Sequence, residues 1–161
     1  MLKDALDRYA RGEVDTNTFD DELWLALCDV VNHRDQESFS ALPTAVRHYF
    51  ASRLVECEVG NGGFAQAAFN VPHLFAEARE GYAALDLPGA VDLIATAERL
   101  IAEGHAKFSA DPEGDIGELF EEFAESALAD LDARTEAVGW WATDRRIAYV
   151  LEHRAEFESA A

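Results

Sequence analysis

Lysine is nearly missing from this chain: Lys3 and Lys107 are the only two in 161 residues. Lysine and arginine together number 13 against 32 aspartates and glutamates, a formal net charge of −19. A surface of that sign repels phosphate backbones and anionic membranes, so it speaks against direct nucleic-acid binding and for basic partners. Cysteine is equally scarce. Cys28 and Cys57 both sit among apolar residues at helical spacing, which predicts two buried free thiols in a reducing compartment and no disulfide framework. No apolar run approaches the roughly 18 residues of a membrane span. The segment Met1 to Arg8 alternates charged and apolar residues and lacks the apolar run of a secretory signal, so the expected location is the cytoplasm. Alternating strand patterns of useful length, low-complexity tracts and internal repeats are lacking as well.

What is present suits a folded domain. Hydrophobic residues make up 49% and charged residues 28% of the chain, values typical of globular proteins and unlike an acidic disordered tail. The length fits one domain, residues 1–161. Apolar periodicity predicts an all-α fold, a single compact multi-helix domain of about seven to nine helices. Leu2, Leu6 and Tyr9 mark a first helix closed by Gly12. Thr18-Phe-Asp-Asp21 has capping-box form, opening a helix to about His33 that buries Leu23, Trp24, Leu27 and Val31. Pro43 starts a third, with Val46, Tyr49, Phe50, Leu54 and Cys57 inward and Gly60 as its stop. A short helix from Phe64 to Asn70 precedes Pro72, after which Leu74, Phe75, Ala78, Tyr82 and Leu85 form a buried stripe. Leu87-Pro-Gly89 reads as a turn. Ala90, Val91, Ile94, Ala97 and Ile101 line a helix ending at Gly104, with residues 105–114 as a loop. Ile116, Leu119, Phe120, Phe123 and Ala127 define a further helix; Leu128, Leu131 and Val138 either extend it or form a second piece before Gly139. Thr143 caps a last helix with Ile147, Val150 and Leu151 inward and Phe157 near its end. Of the adjacent Trp140 and Trp141, one belongs in the core and the other at the surface or in a dimer contact.

Tests for chemistry return little. His33, His48, His73, His105 and His153 include no H-E-x-x-H or E-x-x-H pair, so no metal site and no catalytic residue is assigned. Acids are so abundant that a catalytic carboxylate pair stays open on the sequence alone. Gly60-Asn-Gly62-Gly63-Phe64-Ala65 fits G-x-G-x-x-A, but no strand precedes it and no second strand follows, so no dinucleotide or other cofactor is expected. The glycines are better read as a tight passage from one helix to the next. Gln66 and Asn70, four apart, are placed to hydrogen-bond the exposed backbone of that corner.

The stretch Glu58-Val-Gly-Asn61-Gly62-Gly63-Phe64-Ala-Gln66-Ala-Ala-Phe69-Asn70 resembles the N-G-G-F-x-Q motif of the domain-of-unknown-function 4375 family, the DNA mimic protein 19-like family. The helical layout on both sides is similar too, so the resemblance spans most of the chain. Ala67 and Ala68 stand where larger aromatic residues are expected, and Gly60 replaces a more usual polar residue. The resemblance implies an all-helical fold, a homodimer and, for at least one member, mimicry of DNA that occupies a DNA-binding regulator. The motif residues Glu58, Asn61, Gly62, Gly63, Phe64, Gln66 and Asn70 are read as holding the fold.

Mimicry must then come from the chain's own acids. Between Lys107 and Arg134 no base occurs, while Asp111, Asp115, Glu118, Glu121, Glu122, Glu125, Asp130 and Asp132 do. On a helix, Glu118, Glu121, Glu122 and Glu125 stand at i, i+3, i+4 and i+7, one face opposite Leu119, Phe120 and Phe123. These eight carboxylates are the candidate partner-binding set, and the expected function is a non-enzymatic acidic protein that occupies a basic DNA-binding or transcription-regulatory protein. The alternative is an immunity-type or scaffold protein that recognises its partner by shape, with acidity serving solubility.

Overall fold

The computed structural model describes residues 2–31, 36–110 and 115–160. Ten α-helices and two 3-10 turns are found there, and no strand among the described residues. Seven helices run seven residues or longer, and no helix among the described residues is long and apolar enough to cross a membrane. The chain divides into two compact units, residues 1–50 with 142–161 and residues 51–141.

The first unit holds α1 (Leu2–Ala10), α2 (Thr16–Val31), α3 (Gln36–Ser40), the start of α4 (Thr44–Asn70), α9 (Thr143–Glu152) and α10 (Arg154–Ser159). Its core is built from Leu6, Phe19, Leu23, Val46, Val150 and Phe157, all fully buried. One buried carboxylate lies in it: Asp20 accepts a hydrogen bond of 2.7 Å from the Tyr49 hydroxyl. Several local expectations are corrected here. Asp15, not Thr18, caps α2, its Oδ1 accepting the Thr18 N–H at 2.8 Å. A carboxylate complements the positive end of the helix dipole better than a hydroxyl does, so the helix begins earlier. Thr143 offers no cap: α9 follows Ala142 with no side-chain hydrogen bond. Leu151 is 41% exposed, and Phe157 sits on α10, a separate helix. Trp24, Val31 and Cys28 are half-buried, and His33 lies outside the described residues.

The start of α4 shows how a remote residue completes a helix. Pro43 precedes it and has no side-chain acceptor to offer, so the orphan Ala45 N–H is taken at 3.0 Å by Glu156 Oε2 from α10. That bond, more than the neighbouring His153, holds the Glu156 carboxyl below its ordinary range. A carboxyl lowered on folding contributes stability above its unfolded value, about 4.3, and loses it as pH falls through the folded one. Glu156→Ala should therefore cost about 1 kcal/mol at neutral pH, as for other lost caps. The gap from the parent protein should narrow as pH falls below the ordinary glutamate value of about 4.3, as read from urea unfolding at neutral and acid pH.

The second unit holds the rest of α4, a 3-10 turn (Pro72–Leu74), α5 (Phe75–Ala84), α6 (Pro88–Ala110), α7 (Ile116–Ala124), α8 (Ala129–Asp132) and a 3-10 turn (Glu136–Val138). Trp140 is the centre of its core, 0% exposed, with ring centroids 5.1 Å from Phe64 and 4.8 Å from Tyr82. Trp141 is 50% exposed. The pieces at 129–132 and 136–138 answer the open question about Leu128, Leu131 and Val138: they form short separate elements. Leu74, Phe75, Ala78, Tyr82 and Leu85 are all buried, as the stripe required.

Here too the stops differ from expectation. Gly60 does not end α4, whose only non-helical residues are Gly62 and Gly63; at Gly60 the Trp141 ring packs so close that a Cβ would lie 3.3 Å from it. Pro88 is the first residue of α6 and not part of the turn, which falls before it at Asp86 with φ 56°. Gly104 does not end α6 either. The helix runs on to Ala110, because the absent side chain makes room for Phe123, whose Cε1 would stand 2.5 Å from a Cβ there. Residues 105–110 are thus helical where a loop was expected. Phe120 is 41% exposed, edge-on to Phe69 at 5.4 Å, and Ala127 lies exposed beyond the end of α7. Cys57 is half-buried.

Candidate functional site: the motif corner and the acidic face of α7

The motif makes a corner. Gly62 (φ −160°, ψ 25°) and Gly63 (φ 77°, ψ −178°) break α4, and the chain re-enters a helix at Phe64. Gln66 Nε2 and Asn70 Nδ2, one turn apart on the outgoing arm, both donate to Glu58 Oε2 on the incoming arm, at 2.9 and 2.8 Å. The expectation that these amides serve exposed backbone is corrected: their acceptor is a carboxylate. An ionised acceptor gives stronger bonds than a carbonyl, and the break turns the outgoing arm so that the two amides meet it. Asn61 makes only a distant contact, Nδ2 to Cys57 Sγ at 3.9 Å. Phe64 is fully buried against Trp140, and Ala67 and Ala68 are buried as well.

The corner takes one more residue from far along the chain. Asp132 Oδ1 accepts the Phe64 N–H at 2.8 Å, capping the second arm, and a Cβ on Gly63 would fall 2.4 Å from Asp132 Oδ2. Local sequence carries no signal for this pairing across 68 positions. It follows only from the fold.

The other candidate acids fall into different situations. Asp115 caps α7, accepting the Gly117 and Glu118 N–H groups at 2.7 and 3.2 Å, while Glu118 Oε2 accepts the Asp115 N–H at 3.3 Å, a reciprocal capping box. Both stay exposed. Glu122 is bridged at 2.5 Å by Lys107 from α6, and this contact raises the Lys107 pKa. Glu121, Glu125 and Asp130 are exposed and make no ion pair among the described residues. Asp111 lies outside the described residues. Thus Glu118, Glu121, Glu122 and Glu125 do share one face of α7 and its last turn, with Leu119 and Phe123 buried on the other side, while Asp132 belongs to the motif corner. The Lys107–Glu122 bridge is not legible in the sequence, because the two residues are 15 apart and meet only when α6 packs on α7. Chemically, the face offers hydrogen-bond acceptors and negative charge. Among the described residues no group of three His, Cys, Asp or Glu side chains could hold a metal ion.

No curated protein and no solved structure matches the chain. A family model does, over residues 40–153, which takes in both the motif corner and the acidic face. The chain belongs to the DMP19-like protein family.

Proposed function

We propose that this protein is a non-enzymatic acidic binder that sets the carboxylates of α7 against the DNA-binding surface of a basic regulatory protein and so competes with DNA. The observation that carries the reading is the stretch over residues 115–132, which holds seven carboxylates and no Lys or Arg, and in which Asp115, Glu118, Glu121, Glu125 and Asp130 are exposed. Family membership points the same way, since the resemblance implies DNA mimicry for at least one member. Neighbouring positions on such a helix face lie about 5–6 Å apart, close enough for one cationic groove to engage several at once. Long-range attraction speeds the encounter, and the partner's Lys and Arg side chains then pair with the stripe. Lys107 tempers the face by neutralising Glu122, and a partner cation competes with it there.

The reading is tested with a partner captured from cell extract and then purified. Changing Glu118, Glu121, Glu122 and Glu125 together to Gln should weaken binding by about fourfold to a thousandfold, since four surface pairs at about 0.2–1 kcal/mol each are removed. In the Glu118→Gln change the side-chain carbonyl still accepts the Asp115 N–H, so α7 should keep its start and its circular dichroism. Affinity should fall steeply with added salt, and duplex DNA should displace the protein. A partner that holds DNA and this protein together, or binding indifferent to salt, would favour recognition by shape instead.

A further inference from the structure

We infer that the groove between α1 and α2 is a second docking surface, which takes an amphipathic basic segment of a protein partner. The two helices pack on each other and are joined by only residues 11–15, so they run antiparallel and meet in reverse order. Next to the turn, Tyr9 stacks on Phe19 with centroids 4.4 Å apart. One step further, Arg8 Nη1 donates to Glu22 Oε1 at 2.7 Å and closes that end. From the pair opens a groove of about 250 Å³, lined by Arg8 and Glu22 at that end and by Asp4, Ala5, Leu25, Ala26 and Asp29 along the rest.

The groove has a floor, a wall and a charge. Its floor is Ala5 and Ala26, each 5% exposed, two side chains too small to fill the space between the helix axes. Its wall is Leu25, which at 65% is the most exposed of the large hydrophobic residues described. Leu25 has Asp21 and Glu22 one turn before it and Asp29 one turn after it on α2. An apolar side chain in that setting gains nothing from the protein's own core. Arg8 is already neutralised by Glu22, and neither Asp4 nor Asp29 has an ion pair or side-chain hydrogen bond among the described residues, although the charge of Asp4 is felt at Arg11. Among the described residues, therefore, two carboxylates with no ion pair flank the groove.

That arrangement selects its occupant. An aliphatic or aromatic side chain seats against Leu25 over the two alanines, and Lys or Arg one helical turn away reaches Asp4 and Asp29, the helix-in-groove mode. A second copy of this chain fits poorly, because a symmetric contact would press Asp4 and Asp29 of both copies together in a protein of charge −19. The groove lies in the first unit and the α7 face in the second, so this surface stands or falls independently of the function proposed above.

The test uses the full chain, isotope-labelled, titrated with a synthetic helical peptide bearing a pair of leucines and, one turn on, a pair of arginines. Amide shifts should move at Asp4, Ala5, Leu25, Ala26 and Asp29. Leu25→Glu, at an exposed position that folding does not need, should weaken binding about tenfold or more. The double change Asp4→Asn with Asp29→Asn should weaken it and flatten its salt dependence, and the quadruple α7 variant should bind unchanged. Shifts confined to α7, equal affinity for a peptide with glutamines in place of the arginines, or no shift at millimolar peptide would overturn the assignment. Self-association of the free chain that Leu25→Glu abolishes would overturn it as well, in favour of a second copy.

Discussion

Trp140→Ala should lower the stability of the protein by about 3–5 kcal/mol, the usual cost of removing a large aromatic side chain from a packed core. The ring is 0% exposed and lies between Phe64, which opens the second arm of α4, and Tyr82, at the inner face of α5. Deleting it leaves a cavity that those two rings cannot close together, because each is fixed by its own helix. The neighbouring residue is the control: Trp141 is 50% exposed, and Trp141→Ala should cost about 1 kcal/mol or less, in line with a partly solvated site. Trp140→Phe should fall between the two. It keeps an aromatic filler and removes an indole N–H that meets no acceptor among the described residues, so part of the lost packing is offset. Urea unfolding of the three variants gives the order directly. A Trp140→Ala protein as stable as Trp141→Ala would mean that the core is not built around this ring.

Gly63→Ala is the second large effect, at about 2–4 kcal/mol, and it acts through backbone and side chain at once. With φ 77° and ψ −178°, Gly63 occupies a region that is essentially closed to any residue with a Cβ. The added methyl also lands 2.4 Å from Asp132 Oδ2, so either the corner opens or Asp132 gives up the Phe64 N–H. The two contributions separate in a double-mutant cycle. Asp132→Ala alone removes the cap and should cost about 1 kcal/mol; combined with Gly63→Ala it should cost less than the sum, because the collision is gone and only the backbone strain remains. Strict additivity would mean that Gly63 and Asp132 do not meet.

These two predictions also mark where reading along the chain succeeds and where it stops. The glycine corner, the helix beginning at Phe64 and the stripe from Leu74 to Leu85 are legible, since each rests on residues within a few turns of one another. The partners of Gln66 and Asn70 are half legible: their spacing shows that they act together, but their acceptor, Glu58, becomes apparent only once the chain has turned back. Four local signals mislead, three of them because a distant or neighbouring group overrides them. Gly60 and Gly104 look like helix ends, yet an aromatic ring packs on each: Trp141 lies close over Gly60, and Phe123 would collide with a side chain at Gly104. Thr18 and Thr143 look like caps, yet Asp15 serves the first helix and no side chain serves the second.

The acidic segment divides in the same manner. Its spacing places Glu118, Glu121, Glu122 and Glu125 on one face, and α7 presents them so. Spacing cannot say that Lys107 sits on Glu122 or that Asp132 is engaged by Phe64.

The order of residues by itself determined the helical class, the sign and size of the charge, the family and the buried stripe from Leu74 to Leu85, because periodicity, composition and a contiguous motif are properties of neighbours along the chain. Only the tertiary structure decided which carboxylates remain open, which glycines make room for a ring and which helix starts are capped from afar. Those depend on pairs such as Phe64 with Asp132 and Ala45 with Glu156, whose members come within hydrogen-bonding distance only after the helices have packed.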